Sequence, residues 1–181
     1  MKTLMAIFAT FLLSTAIARA QTPVSYSEDG RVLFTVEVPD FWSVRTGGPR
    51  EIARSEDDGP QVVPRVLALE PTVDRGTWMG LMSPPAVPDL ASARRYMGQL
   101  SRFLALDVEV GPPVVRRIAG RPAEVFAGTG RREGQQLQFT VAAIDLPGRR
   151  VAVVAAVLEA GADPAFIEAL NAVFSSFHAI R

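Results

Sequence analysis

The sequence predicts an α+β domain: an antiparallel β-sheet that includes a C-terminal four-strand meander, flanked by two main helices at about 89–104 and 164–178. Two observations predict it. Four strand-like runs between residues 108 and 158 are joined by short glycine-containing turns, and tight turns join antiparallel neighbours. The two helical stretches carry apolar residues at a spacing of three and four.

The first twenty residues, MKTLMAIFATFLLSTAIARA, read as a cleavable secretory signal. Lys2 is the positive start, the run from Leu4 to Ile17 is apolar, and Ala18-Arg19-Ala20 supplies small residues for signal peptidase. A membrane span needs about 20 apolar residues, and this run is shorter. Cleavage is expected between Ala20 and Gln21, leaving residues 21–181 as a single domain. The start lacks an Arg pair, which favours the general secretory route. The chain has no Cys, so it can carry neither a lipid on Cys nor a disulfide. The expected compartment is the periplasm, with no stable membrane insertion after cleavage.

Strands are expected from Val24 to Glu28 and Arg31 to Val38, around an Asp29-Gly30 type I′ turn. Pro39-Asp40 ends the second, because proline has no N–H for the ladder. Glu51 to Glu56 forms a short strand, and Asp57-Asp58-Gly59-Pro60 a turn. Val62 to Leu69 and Thr77 to Met82 are further strands. Asp89 caps the first helix, whose buried face is Leu90, Ala93, Met97, Leu100 and Leu104. The meander runs through Val108 to Ile118, Pro122 to Arg131, Gln135 to Leu146 and Arg149 to Leu158. In the second helix Asp163 is the cap, Pro164 takes the first position, and Phe166, Ile167, Leu170, Val173, Phe174 and Phe177 make an apolar stripe that must cover a sheet.

The stretch GRVLFTVEVPDFWSV resembles the opening of PsbP-like domains, a hairpin leading into a Val-Pro-x-x-Trp corner. IAGRPAEVFAGTG, QQLQFTVAAI, RVAVVAAVLE and a helix ending in FSSFHAI are similar to that superfamily's closing meander and terminal helix. The superfamily takes in PsbP, the Ran-binding Mog proteins and bacterial periplasmic DcrB-like proteins. The resemblance implies helices packed on a central antiparallel sheet and roles that are usually non-enzymatic. It carries over no functional residue, since PsbP's cofactor-linked His and Cys features have no counterpart here.

Removal of Lys2 and Arg19 with the signal leaves 17 basic against 19 acidic side chains, which argues against a nucleic-acid binder. His178 is the sole histidine, expected solvated at a helix end, so a Ser–His–Asp arrangement is not in prospect. The mature chain has no Lys for a Schiff base or phosphate loop and no His/Cys cluster for zinc. Glu56-Asp57-Asp58 lacks the alternate spacing of a calcium loop. Gly128-x-Gly130-x-x-x-Gly134 has the glycine spacing of a loose phosphate loop, but a strand from Leu137 to Ile144 follows it and not a helix, so these read as hairpin glycines. No catalytic residue, cofactor or metal is assigned. Trp42 is expected in the core; Trp78 either packs there or lines an edge groove.

One constellation comes from topology. Alternate turns of a meander share an end, so Arg116, Arg117, Arg121, Arg149 and Arg150 are expected at one end. Arg131 and Arg132 lie at the other, roughly 40 Å away along a twelve-residue strand. The five either hold an anionic partner or form a solvated rim partly neutralised by Glu124 and Asp145. Three functions stand open: a periplasmic binding or accessory module with an envelope protein as partner, a carrier of a small apolar or lipid ligand, and a hydrolase using carboxylates alone. An enclosed apolar pocket favours the carrier, a filled core with an exposed patch favours the partner module.

Overall fold

The computed structural model describes residues 20–47, 50–52, 61–63, 65–73 and 76–181. In chain order the elements are β1 (Gln21–Glu28), β2 (Arg31–Pro39), β3 (Trp42–Gly47), β4 (Arg50–Ile52), β5 (Gln61–Val63), β6 (Val66–Pro71), β7 (Thr77–Met82), α1 (Leu90–Leu104), β8 (Leu106–Val110), β9 (Val114–Ile118), β10 (Arg121–Arg132), β11 (Gln135–Leu146), β12 (Arg150–Glu159), α2 (Pro164–Ser175) and β13 (His178–Ala179). Among the described residues the main sheet runs β3-β6-β7-β12-β11-β10-β8, with β9 also on β10. A second sheet runs β1-β2-β13, and β4 pairs with β5. The pairings are antiparallel, so the architecture is α+β.

The central strand β12 shows why this chain folds as it does. Its run from Val151 to Val157 is buried at every position, as a strand covered on both faces must be. Alternation along β10 tells the two faces apart. Glu124 turns to α1, where it accepts from Arg94. Val125 and its cross-strand partner Ala142 turn the other way, toward Leu170 and Phe174 of α2. One helix therefore lies over each face. Asp89 starts α1 by accepting from the Ser92 backbone N–H at 2.7 Å, and Asp163 does the same for Ala165 at the head of α2.

Three two-residue turns carry positive φ at both central positions, as type I′ requires: Asp29-Gly30, Ala119-Gly120 and Glu133-Gly134. The β11–β12 connection is a three-residue loop, Pro147 to Arg149, so β12 begins at Arg150 and not at Arg149.

The second sheet is closed by the end of the chain. The Tyr26 and Phe34 rings stack with centroids 4.9 Å apart, and Phe177 adds to Phe34 at 5.0 Å. All three are buried.

Several expected elements differ. The second helix stops at Ser175, and His178 with Ala179 pairs with Thr35 and Phe34 of β2. Ile180 N–H also donates to the Leu33 carbonyl at 2.9 Å. The open backbone of β2 gives these residues a ladder, so the apolar run ends in a strand, and His178 is an exposed strand residue. The run 62–69 divides into β5 and β6, which belong to different sheets, with the donorless Pro64 between them. Of the expected strand 51–56, Glu51 and Ile52 lie in β4, while 53–56 and the turn 57–60 lie outside the described residues.

The run 108–118 also divides. Val110 stands opposite Gly128 and Val114 opposite Val125, so Gly111, Pro112 and Pro113 oppose two residues of β10. The strand β3 has no counterpart in the sequence reading. It buries only Trp42 strongly, and its pairing with β6 decides it.

Candidate functional site

The five arginines are engaged differently. Arg121 donates twice to Asp145, to its carbonyl and to its carboxylate, each at 2.9 Å. Arg150 is held by the Glu28 carboxylate and by the Ser83 carbonyl at 2.7 Å. These two tie strands together. Arg117 donates to the Gly120 carbonyl at 2.8 Å, with no carboxylate partner among the described residues. Arg116 and Arg149 are exposed; Arg149 is near enough for its charge to act on the Asp89 carboxylate. Glu124, expected to neutralise this rim, is instead buried and engaged by Arg94.

What remains is a basic edge built on β9. Among the described residues this strand pairs with β10 alone, so its outer side is an open ladder there. Its side chains are exposed on both faces: Val114 is 49% exposed, Val115 75%, and Arg116 and Arg117 follow them. The opposite sheet edge, β3, buries Trp42 to 5% exposure. β9 thus displays two valines that the core does not use, beside two cations. The pattern Pro-Pro-Val-Val-Arg-Arg carries this signal in sequence: a breaker, then apolar residues without alternation, then charge. Taking 108–118 as one continuous strand hides it.

Inside that edge lies a groove. Alternation sets Val114, Arg116 and Ile118 of β9 on the α2 side of the sheet. Between them and α2 is a half-open cleft of about 300 Å³, lined by Ile118, Val125, Ala142, Leu158, Leu170 and Phe174. Thr140 and Asn171 are its polar members. A broader cleft of about 480 Å³ adjoins it at Leu158 and Ile167, with a mixed lining that includes Asp107, Glu109 and Arg131.

The remaining candidates are structural. Trp42 is buried. Trp78 lies half-buried, and the Arg132 guanidinium sits 6.0 Å from its ring centroid while bonding Glu159 at 3.1 Å. Gly80 leaves the space that the Trp78 ring fills. The indole N–H of each tryptophan has no partner among the described residues. Burial pushes the Tyr26 phenol above its ordinary value, against the pull of the Ser83 backbone and the Arg150 and Arg65 charges. Burial raises Tyr96 likewise. Among the described residues no His/Cys/Asp/Glu group is arranged to hold a metal ion, and no helix is long and apolar enough to cross a membrane.

A scan against protein-family models finds no match, and a search of curated proteins finds none. Solved structures do match. Cyanobacterial PsbP (CyanoP) from Synechocystis superposes with a TM-score of 0.55 at 13% identity, over 92% of this chain and 96% of that one. LpqN of Mycobacterium tuberculosis, described as involved in cell envelope biogenesis, gives 0.53 at 14% identity, over 90% and 91%. At these identities the likeness is one of fold: the chain has a PsbP-like fold.

Proposed function

We propose that this chain is an exported, non-catalytic accessory module that docks an envelope protein on the β9 edge of its main sheet. The observation that carries the reading is the exposure of Val114 and Val115 beside Arg116 and Arg117, on a strand that turns only Ile118 toward the core. Exposed apolar side chains rimmed by charge are what a docking surface presents before its partner arrives. Export of residues 21–181 after cleavage of 1–20 is part of the proposal. β1 begins at Gln21, the first residue after the proposed cleavage point, which is compatible with that reading. The PsbP-like fold, shared with an envelope-associated protein, supports the same compartment.

The test places a photo-crosslinking amino acid at Val115 and, as a control, at Val73, which is 85% exposed elsewhere. In native envelopes a discrete adduct is expected from position 115 alone. Identical adduct patterns from both positions overturn the docking reading. N-terminal sequencing of the exported protein should begin at Gln21, and a start at Met1 overturns the export reading.

The groove beside α2 supports a second reading, a carrier of a small apolar or lipid ligand. Native mass spectrometry of protein purified without detergent should then show a bound lipid that Ala142→Trp expels. An unliganded mass overturns it.

A further inference from the structure

The proposed docking reading says where a partner sits, and the following rests on it. We infer that β9 captures an extended acidic segment of its partner by strand addition, completing the sheet edge.

The backbone geometry comes first. β9 is a five-residue strand, about 17 Å long, with a ladder partner on one side only among the described residues. An edge of this kind offers main-chain N–H and C=O groups to an incoming strand. The offer is confined to β9. On one flank Gly111-Pro112-Pro113 breaks the ladder, and proline has no N–H to give. Beyond it, β8 is bulged at Asp107, whose φ is 49°, and presents Asp107 and Glu109. On the other flank the Ala119-Gly120 turn ends the strand.

Charge selects the occupant. Arg116 projects on the α2 side and Arg117 on the α1 side, so an added strand meets a cation on either face. The nearby carboxylates are already used, Glu124 by Arg94 and Asp145 by Arg121. A second copy of β9 paired antiparallel about its centre would set arginine against arginine, and like charges directly opposite are destabilising. The acidic flank of β8 turns away an acidic strand that slides out of register. The two cations therefore reject self-pairing and admit an acidic strand.

Register then writes the motif. A strand running antiparallel to β9 meets Ile118, Arg117, Arg116, Val115 and Val114 in that order. Cross-strand complementarity asks for apolar, acidic, acidic, apolar, apolar. The probe is a labelled peptide with the core Val-Glu-Glu-Val-Val, titrated into the purified protein and read by fluorescence anisotropy. Binding should weaken with salt. Lys-Lys in place of Glu-Glu should cost about tenfold or more, and the R116E/R117E variant should reverse that preference. Both positions are exposed, and an unchanged melting temperature would show that the variant is folded.

The deciding arm is a pair of peptides N-methylated on alternate residues, which keep the charges and remove outward N–H donors. At least one should lose about tenfold in affinity. If both bind as the parent does, strand addition is wrong, while a crosslink at position 115 would leave the docking reading standing. If no peptide binds and position 115 also gives no adduct, both fall together. If no peptide binds but the adduct forms, the partner docks by another geometry and this inference is overturned alone.

Discussion

The Arg94 guanidinium of α1 grips the Glu124 carboxylate of β10 with two N–H groups, one of them at 2.6 Å from Oε2. This fork holds the helix to the sheet face behind the β9 edge, because Glu124 is the residue directly opposite Val115. The carboxylate is 4% exposed, whereas the Arg94 side chain is more than half exposed. Arg94→Ala should destabilise the fold by stranding a buried charge. Glu124→Gln alone should be milder, and the combination of both changes should recover part of the loss. Chemical denaturation of the three variants measures it, and a double variant worse than the sum of the singles would refute the assignment.

Asp89 gives a pH dependence of known sign. The Ser92 backbone N–H, and then its hydroxyl, hold the Asp89 carboxyl below its ordinary value. A carboxylate whose folded value is depressed stabilises the fold above its unfolded value, and that contribution fades as pH falls through the folded one. Asp89→Ala should therefore lower the melting temperature most near neutrality. The gap between variant and parent should close in acid. A gap that widens below the carboxylate range would contradict the cap.

Phe34 sits between Tyr26 and Phe177 with no exposure, so it links the first hairpin to the end of the chain. Phe34→Ala should cost about 3–5 kcal/mol. Truncation before Phe177 should destabilise too, because it also removes β13 from the β2 ladder. Urea unfolding followed by Trp fluorescence reads both changes.

Gly128 lies on the α1 side of β10 beneath Phe139. A Cβ there would come within 2.3 Å of the Phe139 ring and 2.6 Å of the Glu109 carbonyl oxygen. Gly128→Ala should cost about 1–3 kcal/mol through overpacking and loosen β8 from β10. Faster amide exchange across β8 is the local readout, and uniform exchange throughout the chain would argue against it.

Much of this architecture was legible because its signals are local. Asp29-Gly30 announced its turn through residues that tolerate positive φ, and the Asp163-Pro164 start of α2 through its cap. The candidate site was half legible. Arg116, Arg117, Arg121, Arg149 and Arg150 could be assigned to neighbouring strands by topology, but side-chain pairing decided their roles. Glu28, 122 residues away in sequence, takes Arg150, and no spacing rule would have joined them.

The sequence by itself determined the α+β class, the two helix starts, a strand over most of β12 and the expectation of an exported, Cys-free domain. Each rests on periodicity, capping or composition, which act over a few residues. Only the tertiary structure decided that the last turn of the apolar stripe pairs with β2, that residues 62–69 serve two sheets, and that β9 is left bare with two valines and two arginines outward. Those outcomes depend on which backbone edges remain unpaired once the large strands have met, and hydrogen-bond supply across the whole chain sets that.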